Sequence, residues 1–182
     1  MFKKLSLVFI LSALVFSSLQ ARQNQQQREE LRVNAIYNKT IRSFMAEDRR
    51  LKQLVYDSYV YIVFPSIGKG GLILGGAHGE GRAYRKGTWI GNVTLTQYTV
   101  GLQVGGQTYK EIIFFRTHTA FKAFKKSGLK SGTQISAIAG TAGVSGDIDI
   151  NKEVLVFTTE NGGLMFEAST GAQDFTYTEK VY

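Results

Sequence analysis

The sequence predicts an α+β fold: N-terminal helices packed on a mostly antiparallel, glycine-rich sheet that is twisted or closed into a partial barrel, with one short helix late in the chain. Apolar residues recur at three- and four-residue intervals between residues 31 and 57, which is typical of helices. From Tyr59 onward, short β-branched and aromatic runs alternate with glycine-rich turns, which is typical of strands. We therefore expect a single domain at 31–182, with helices at 31–57 and the sheet region at 59–182.

Residues 1–21 have the layout of a secretory signal peptide. Two lysines precede an apolar run, Leu5–Phe16, and small polar residues then lead to Ala21. The run is short for a bilayer span, which needs about 20 residues, although a retained N-terminal anchor is the alternative. We expect cleavage near Ala21 and an exported protein in the periplasm or at the cell-envelope surface. Residues 22–30 are polar and rich in glutamine, and we expect them to form a flexible lead-in.

The chain is basic and has no cysteine, with a formal charge of +8. Without cysteine it has no disulfides and is not a lipoprotein, so any membrane association would be peripheral. Removal of the signal peptide takes Lys3 and Lys4 with it and lowers the charge from +8 to +6. An exported basic protein is expected to meet anionic lipid or a surface polyanion rather than nucleic acid.

Two helices are expected before the sheet. The first would bury one apolar face made of Leu31, Ala35, Ile36, Ile41, Phe44 and Met45. The second would cover Glu47–Asp57 and point Leu51, Leu54 and Val55 inward. The basic side chains of this segment are Arg28, Arg32, Lys39, Arg42, Arg49, Arg50 and Lys52. They form either the solvated outer face of packing helices or a surface that lies on an anionic membrane.

The predicted sheet is organised around residues 59–81. An apolar run ends at Phe64, and Pro65 lacks the backbone donor that a continuing ladder needs. We therefore expect the strand to end there or to lie at a sheet edge. The glycines that follow indicate bends or close approach of another backbone, and we expect this at Gly75 and Gly76.

A short helix is predicted late in the chain. Thr117 is suited to cap its N-terminus, and Gly128 is suited to end it. Phe121 and Phe124 would face inward. The helix region carries a second basic patch without any acid, which consists of Lys122, Lys125, Lys126 and Lys130.

Four patterns bear on chemistry, and none predicts an enzyme. The glycines of 66–81 lack the spacing of a phosphate-binding loop and continue into strand, and no serine lies in a nucleophile elbow. His78 and His118 have no second ligand at metal spacing. Alternating oxygen-bearing side chains lack the glycine of a calcium loop and indicate a solvated strand face: Asp147, Asp149, Asn151 and Glu153. We expect neither catalysis nor a cofactor or metal.

Several motifs together resemble the SYLF domain family of lipid-binding proteins. They are VYIVFPSIGKGGLILGGAHGEGRA at 60–83, GTW at 87–89 and VGLQVGGQ at 100–107. The likeness continues through the EIIFFRT strand and the short helix, and covers about residues 47–171. Two loops differ from the family pattern: Gly140-Thr141 stands where many relatives have Gly-Pro, and Ile90-Gly91-Asn92 stands where relatives continue into Ser and Pro.

The resemblance to bacterial, exported members implies a module that binds phospholipid head groups without catalysis. Eukaryotic members bind phosphoinositides, and the actin binding of some of them has no motif here. In this chain, anionic lipid would attach to the basic helical residues, with Lys69 and the Lys122–Lys130 patch as a second contact. Trp89 is a candidate for insertion into the interface, or equally a core residue beside its turn. The alternative is a structural envelope protein that binds another protein, not identified by the sequence, through an exposed strand edge.

Overall fold

The computed structural model describes residues 2–70, 74–100, 107–129, 135–138, 152–160, 163–165 and 173–181. Its helices are α1 (Phe2–Glu47), α2 (Arg49–Asp57) and α3 (His118–Ser127). Its strands are β1 (Val60–Gly70), β2 (Leu74–Arg85), β3 (Thr88–Val100), β4 (Gln107–Phe115), β5 (Ile135–Ile138), β6 (Val154–Glu160), β7 (Gly163–Met165) and β8 (Gln173–Glu179). The predicted α+β class, with helices first and one short helix later, is confirmed.

The chain divides into two compact units, Met1–Asn38 and Lys39–Tyr182, and α1 contributes to both. The first unit is helical throughout its described residues. Residues 22–30 are therefore helical, where a flexible lead-in was expected, because glutamine, arginine and glutamate are good helix formers even without an apolar face. Among the described helices, none has both the length and the apolar character that crossing a membrane requires. The signal peptide remains a prediction.

The expected apolar face of the first helix is only partly buried. Ile41 and Phe44 are buried, whereas Leu31 and Ile36 are 62% and 54% exposed. The inward positions of the second helix follow the prediction, since Leu51 and Leu54 are buried and Val55 is half-buried.

Side-chain caps define the ends of the two short helices. The carboxylate of Asp48 accepts a hydrogen bond from the backbone N–H of Arg50 at 2.7 Å and so starts α2. The hydroxyl of Thr117 accepts from the backbone N–H of Ala120 at 3.1 Å and starts α3, as predicted. Gly128 ends α3 with a positive φ of 65°, which a residue without Cβ adopts readily.

The strands form one sheet in the order β5-β6-β4-β1-β2-β3-β8, and β7 pairs with β6. Its pairs are antiparallel except β5–β6. Among the described strands, none pairs with the outer edge of β8. The mostly antiparallel sheet is therefore as predicted, and its described part is open.

Strand β1 continues through Pro65. It lies in the middle of the sheet between β4 and β2, and its register shifts between Phe64 and Ile67. The prediction that the strand ends at Pro65 or lies at an edge is therefore wrong. A β-bulge takes Pro65 out of the regular ladder, so the missing N–H is tolerated at a central position.

The sheet curls around an aromatic core on the face that α3 covers, which we call the concave face. The ring of Phe124 in α3 lies 4.9 Å from that of Phe115 on β4 and 5.5 Å from that of Phe175 on β8. Phe64 on β1 also reaches Phe175, with 6.1 Å between ring centroids. In a flat sheet β4 and β8, four positions apart, would be separated by about 19 Å. The described sheet is therefore strongly curled, and its edge at β8 remains open.

Glycines of β2 make room for this curl. A Cβ on Gly81 would lie 2.7 Å from the ring of Phe64, so this ring packs directly on the glycine backbone. A Cβ on Gly76 would lie 3.0 Å from the backbone oxygen of Gln97, which confirms the close approach expected there. The surroundings of Gly75 lie outside the described side chains.

Candidate functional site

The two basic helices α2 and α3 lie on opposite faces of the sheet. Helix α3 packs on the concave face through Phe121 and Phe124. Tyr61 points to the other, convex face, because side chains alternate along β1. Burial, with the neighbouring hydroxyls of Tyr84 and Tyr56, raises the pKa of Tyr61 to about 12. Tyr61 and its neighbour Phe114 are buried on this face, although α3 covers the other one. Leu51 and Leu54 of α2 are also buried, outside the core cluster that contains Phe121 and Phe124, so α2 covers the convex face.

The outer face of α2 consists of Arg49, Lys52 and Tyr56. These residues are three and four positions apart, so they lie on one side of the helix, opposite Leu51 and Leu54. All three are exposed, and Tyr56 is exposed by 70%. Helix α2 therefore presents two cations beside an exposed phenol ring, while its apolar side is buried in the domain.

Arg50 is engaged by the capping carboxylate of the same helix. Its Nη2 lies 2.6 Å from Oδ2 of Asp48, and its Nε donates to both carboxylate oxygens at 3.1 and 2.9 Å. The side-chain hydrogen bond, as the main cause, lowers the pKa of Asp48 and raises that of Arg50. Asp48 therefore compensates much of the charge that the sequence assigned to the basic surface at this position.

The other predicted lipid-binding residues of the N-terminal half are dispersed. Four are exposed on α1: Arg28 and Arg32 in the first unit, and Lys39 and Arg42 in the second. Lys69 lies on β1, opposite Ala77 and Gln107, and its Nζ is 5.6 Å from the ring centroid of Tyr109. This position is at the opposite end of β1 from α2.

The described lysines of α3 form the basic patch that the sequence predicts. Lys122, Lys125 and Lys126 are exposed, and Lys130 lies outside the described residues. The Nζ of Lys125 is 5.6 Å from the ring centroid of Phe121 and 5.4 Å from that of Tyr177. Lys125 therefore lies along the edge of the aromatic core, as long basic side chains do when an apolar surface is adjacent.

Trp89 is half-buried and held by polar partners near the turn between β2 and β3. Its indole N–H donates to the backbone oxygen of Gly91 at 2.9 Å. The ring centroid lies 3.9 Å from the guanidinium carbon of Arg82 and 4.3 Å from Nζ of Lys180, within cation–π distance of both. Sequence reasoning missed Arg82 and Lys180, because only the pairing of β2, β3 and β8 brings them to the tryptophan. Membrane insertion of Trp89 remains a prediction.

A buried carboxyl group lies on the concave face. Glu111 on β4 is 2% exposed and stands opposite Phe64 on β1 and Thr158 on β6. Its Oε1 has no hydrogen-bond partner among the described residues. Burial raises the pKa of Glu111 to about 8, so the group is neutral at pH 7. No group of three potential metal ligands occurs in the part of the chain that the structure describes.

Residues 96–179 match the family model Ysc84, which is described as Las17-binding protein actin regulator. The match covers a little under half of the chain and agrees with the resemblance to the SYLF domain family. The family resemblance stated from the sequence is thereby confirmed, and the matched segment contains α3 and β8. Helix α2 and the turn between β2 and β3 precede the matched segment of the SYLF domain. A comparison with curated proteins finds no match for the chain.

Proposed function

We propose that this SYLF-domain protein is an exported, non-catalytic module that binds anionic phospholipid head groups in the cell envelope. The outer face of α2 carries the proposal. Arg49 and Lys52 are exposed there beside the exposed ring of Tyr56. Anionic membranes attract lysine and arginine, and tyrosine favours the membrane–water interface. A basic face with an aromatic side chain, on a helix whose apolar side is already buried, suits peripheral attachment.

The expected attachment is weak and reversible. Each basic residue near an anionic surface contributes about 1 kcal/mol, so Arg49 and Lys52 together contribute about 2 kcal/mol. That free energy corresponds to a dissociation constant of about 30 mM, and contact of Tyr56 with the interface would strengthen the binding. Because α2 and α3 lie on opposite faces of the sheet, a flat membrane cannot lie against the outer faces of both.

Export favours anionic lipid as the ligand, whereas the description of the matched family names protein partners. The layout of residues 1–21 predicts export, which directs a basic protein to anionic lipid at the envelope. The description of the matched family refers to Las17 binding and actin regulation. For a chain exported to the envelope, we propose lipid rather than actin as the partner.

The test is liposome flotation with protein isolated from the cell envelope. We expect binding to phosphatidylglycerol vesicles but not to phosphatidylcholine vesicles. Binding should fall with salt, because the Debye length shrinks from about 10 Å at 0.1 M to about 3 Å at 1 M. Arg49→Glu should weaken binding, whereas the matched reversal Lys110→Glu, at an exposed position on β4, should not. Equal flotation with both lipids and at both salt concentrations would refute the proposal.

The alternative is a structural envelope protein that binds another protein through a strand edge. Strand β8 favours it, because among the described strands none pairs with its outer edge. The N–H of Lys180 donates to the backbone oxygen of Ile90 on β3, so the N–H of the preceding residue, Glu179, faces the outer edge of β8. A proline at Glu179 would remove this outward donor without removing a hydrogen bond to β3. Loss of a specific envelope complex in Glu179→Pro, with that complex retained in Arg49→Glu, would support this alternative over lipid binding.

A further inference from the structure

The two basic helices approach each other at one end of the sheet. Helix α2 ends at Asp57, just before β1 begins, and α3 begins at His118, just after β4 ends. Val60 of β1 pairs with Phe115 of β4, which places both of these junctions at the same end. The pairing of Tyr61 with Tyr84 brings the turn between β2 and β3 to that end as well. We call this region the turn end of the sheet.

The turn itself places a lysine in a backbone conformation that lysine rarely adopts. Lys86 and Gly87 have φ values of 49° and 77°, the pattern of a type I′ hairpin turn. Asparagine, aspartate or glycine normally occupies the position of Lys86, because a side chain with a longer stem is strained there. Lys86 is exposed at the tip of the hairpin. A strained, exposed cation where the fold favours another residue indicates a functional reason for its presence.

Basic side chains surround this turn, and aromatic rings hold several of them in place. The guanidinium carbon of Arg85 lies 4.4 Å from the ring centroid of Tyr59, while Arg82 and Lys180 lie over Trp89. The basic residues at the turn end are Arg82, Arg85, Lys86, Arg116, Lys152 and Lys180. The acidic ones are Asp57, Glu153 and Glu179. The described part of this end is therefore basic.

We propose that the turn end of the sheet is the surface that meets the anionic membrane, with Lys86 at its tip. This inference rests on the proposed function and specifies where the lipid binds. Charge complementarity selects an anionic bilayer as the occupant, because Arg85, Lys86 and Arg116 are exposed at this end. A flat bilayer at this end meets the hairpin and comes close to both α2 and α3. The geometry also gives Trp89 a role, as the ring that positions Arg82 and Lys180.

Lys86→Asn tests the surface without disturbing the fold. Asparagine accepts positive φ better than lysine, so the variant should melt at the wild-type temperature or higher. Affinity for phosphatidylglycerol vesicles should nevertheless fall about fivefold, the equivalent of about 1 kcal/mol for one lost cation. Lys110→Gln is the matched control, because Lys110 is also exposed but pairs with Thr159, away from the turn end. It should bind as the wild type does.

The outcomes separate this inference from the proposed function. A fivefold loss of vesicle affinity in Lys86→Asn, with the affinity of Lys110→Gln unchanged, supports the turn end as the membrane-binding surface. Unchanged binding of Lys86→Asn, together with weakened binding of Arg49→Glu, overturns the turn end and leaves the outer face of α2 as the lipid contact. If the wild type binds no vesicle, the proposed function fails. Displacement from vesicles by millimolar glycerol phosphate at constant ionic strength would indicate a site for soluble phosphate esters and would also overturn a membrane surface.

Discussion

Replacement of Glu111 by glutamine should change how the stability of the domain depends on pH. The folded domain holds the carboxyl group with a pKa of about 8, compared with its ordinary value of 4.5. Between these values the folded form keeps a proton that the unfolded form has released. The unfolded state therefore binds fewer protons, and stability falls as pH rises.

The slope and size of the effect follow from the shift. Below pH 4.5 Glu111 is protonated in both the folded and the unfolded state, so it adds no pH dependence. Between pH 4.5 and 8 the free energy of unfolding falls by about 1.4 kcal/mol per pH unit. The loss at pH 7 is on the order of 3 kcal/mol. Glutamine has nearly the same shape and does not titrate. Glu111→Gln should therefore gain stability relative to wild type as pH rises from 5 to 8.

Urea unfolding of both proteins at several pH values between 5 and 8 would measure this difference. Glu179→Gln, at an exposed position on β8, is the control and should follow the wild-type pH dependence. Subtracting the wild-type free energy of unfolding from that of Glu111→Gln at each pH removes the contributions of the other titrating groups. Any effect of the amide on packing that does not depend on pH shifts this difference by a constant and leaves its slope unchanged. Parallel wild-type and Glu111→Gln curves across this range would show that Glu111 does not hold a proton in the folded domain.

Three further results are expected. N-terminal sequencing of the envelope protein should give a start near Arg22, and an intact initiator methionine would contradict export. Gly81→Ala should lower stability by about 1–3 kcal/mol in a thermal melt, because its Cβ meets an aromatic ring, whereas Gly68→Ala, with nothing within 4 Å, should cost much less. Asp48→Ala should lower the free energy of unfolding by about 1 kcal/mol, because α2 loses its N-terminal cap. It should nevertheless strengthen vesicle binding, because Arg50 loses its ion-pair partner. Weaker vesicle binding would show that the ion pair itself positions α2.

Local signals in the sequence predict the α+β fold class and the two ends of the short helix α3. Thr117 and Gly128 act within one helical turn, so nearby residues suffice to predict their roles. Pro65 misled because its tolerance depends on a bulge between two neighbouring strands, which is a property of the pairing. Residues 22–30 are helical because glutamine, arginine and glutamate have good helix propensity, whereas their polar composition alone predicts a flexible segment.

The sequence predicts which basic residues of a helix are exposed, but not how the candidate binding surfaces are arranged on the sheet. Exposure of Arg49 and Lys52 follows from helical spacing, which the sequence contains. Opposite placement of α2 and α3 depends on which sheet face each one covers, and the pattern within either helix does not specify this. The grouping of Arg82 and Lys180 around Trp89 needs three paired strands, so no short-range motif predicts it.

The position of β8 has a consequence for when this domain can fold. Phe175 lies near the end of the chain, yet it contacts Phe64 at the centre of the sheet and Phe124 in α3. Closing such a long loop is slow, because its entropy is lost before the contacts form. A chain still emerging from the ribosome lacks β8, so these aromatic rings stay without their partner until synthesis is nearly complete. Were the chain exported, as residues 1–21 predict, that delay would keep it in the unfolded form that passes through a translocation channel.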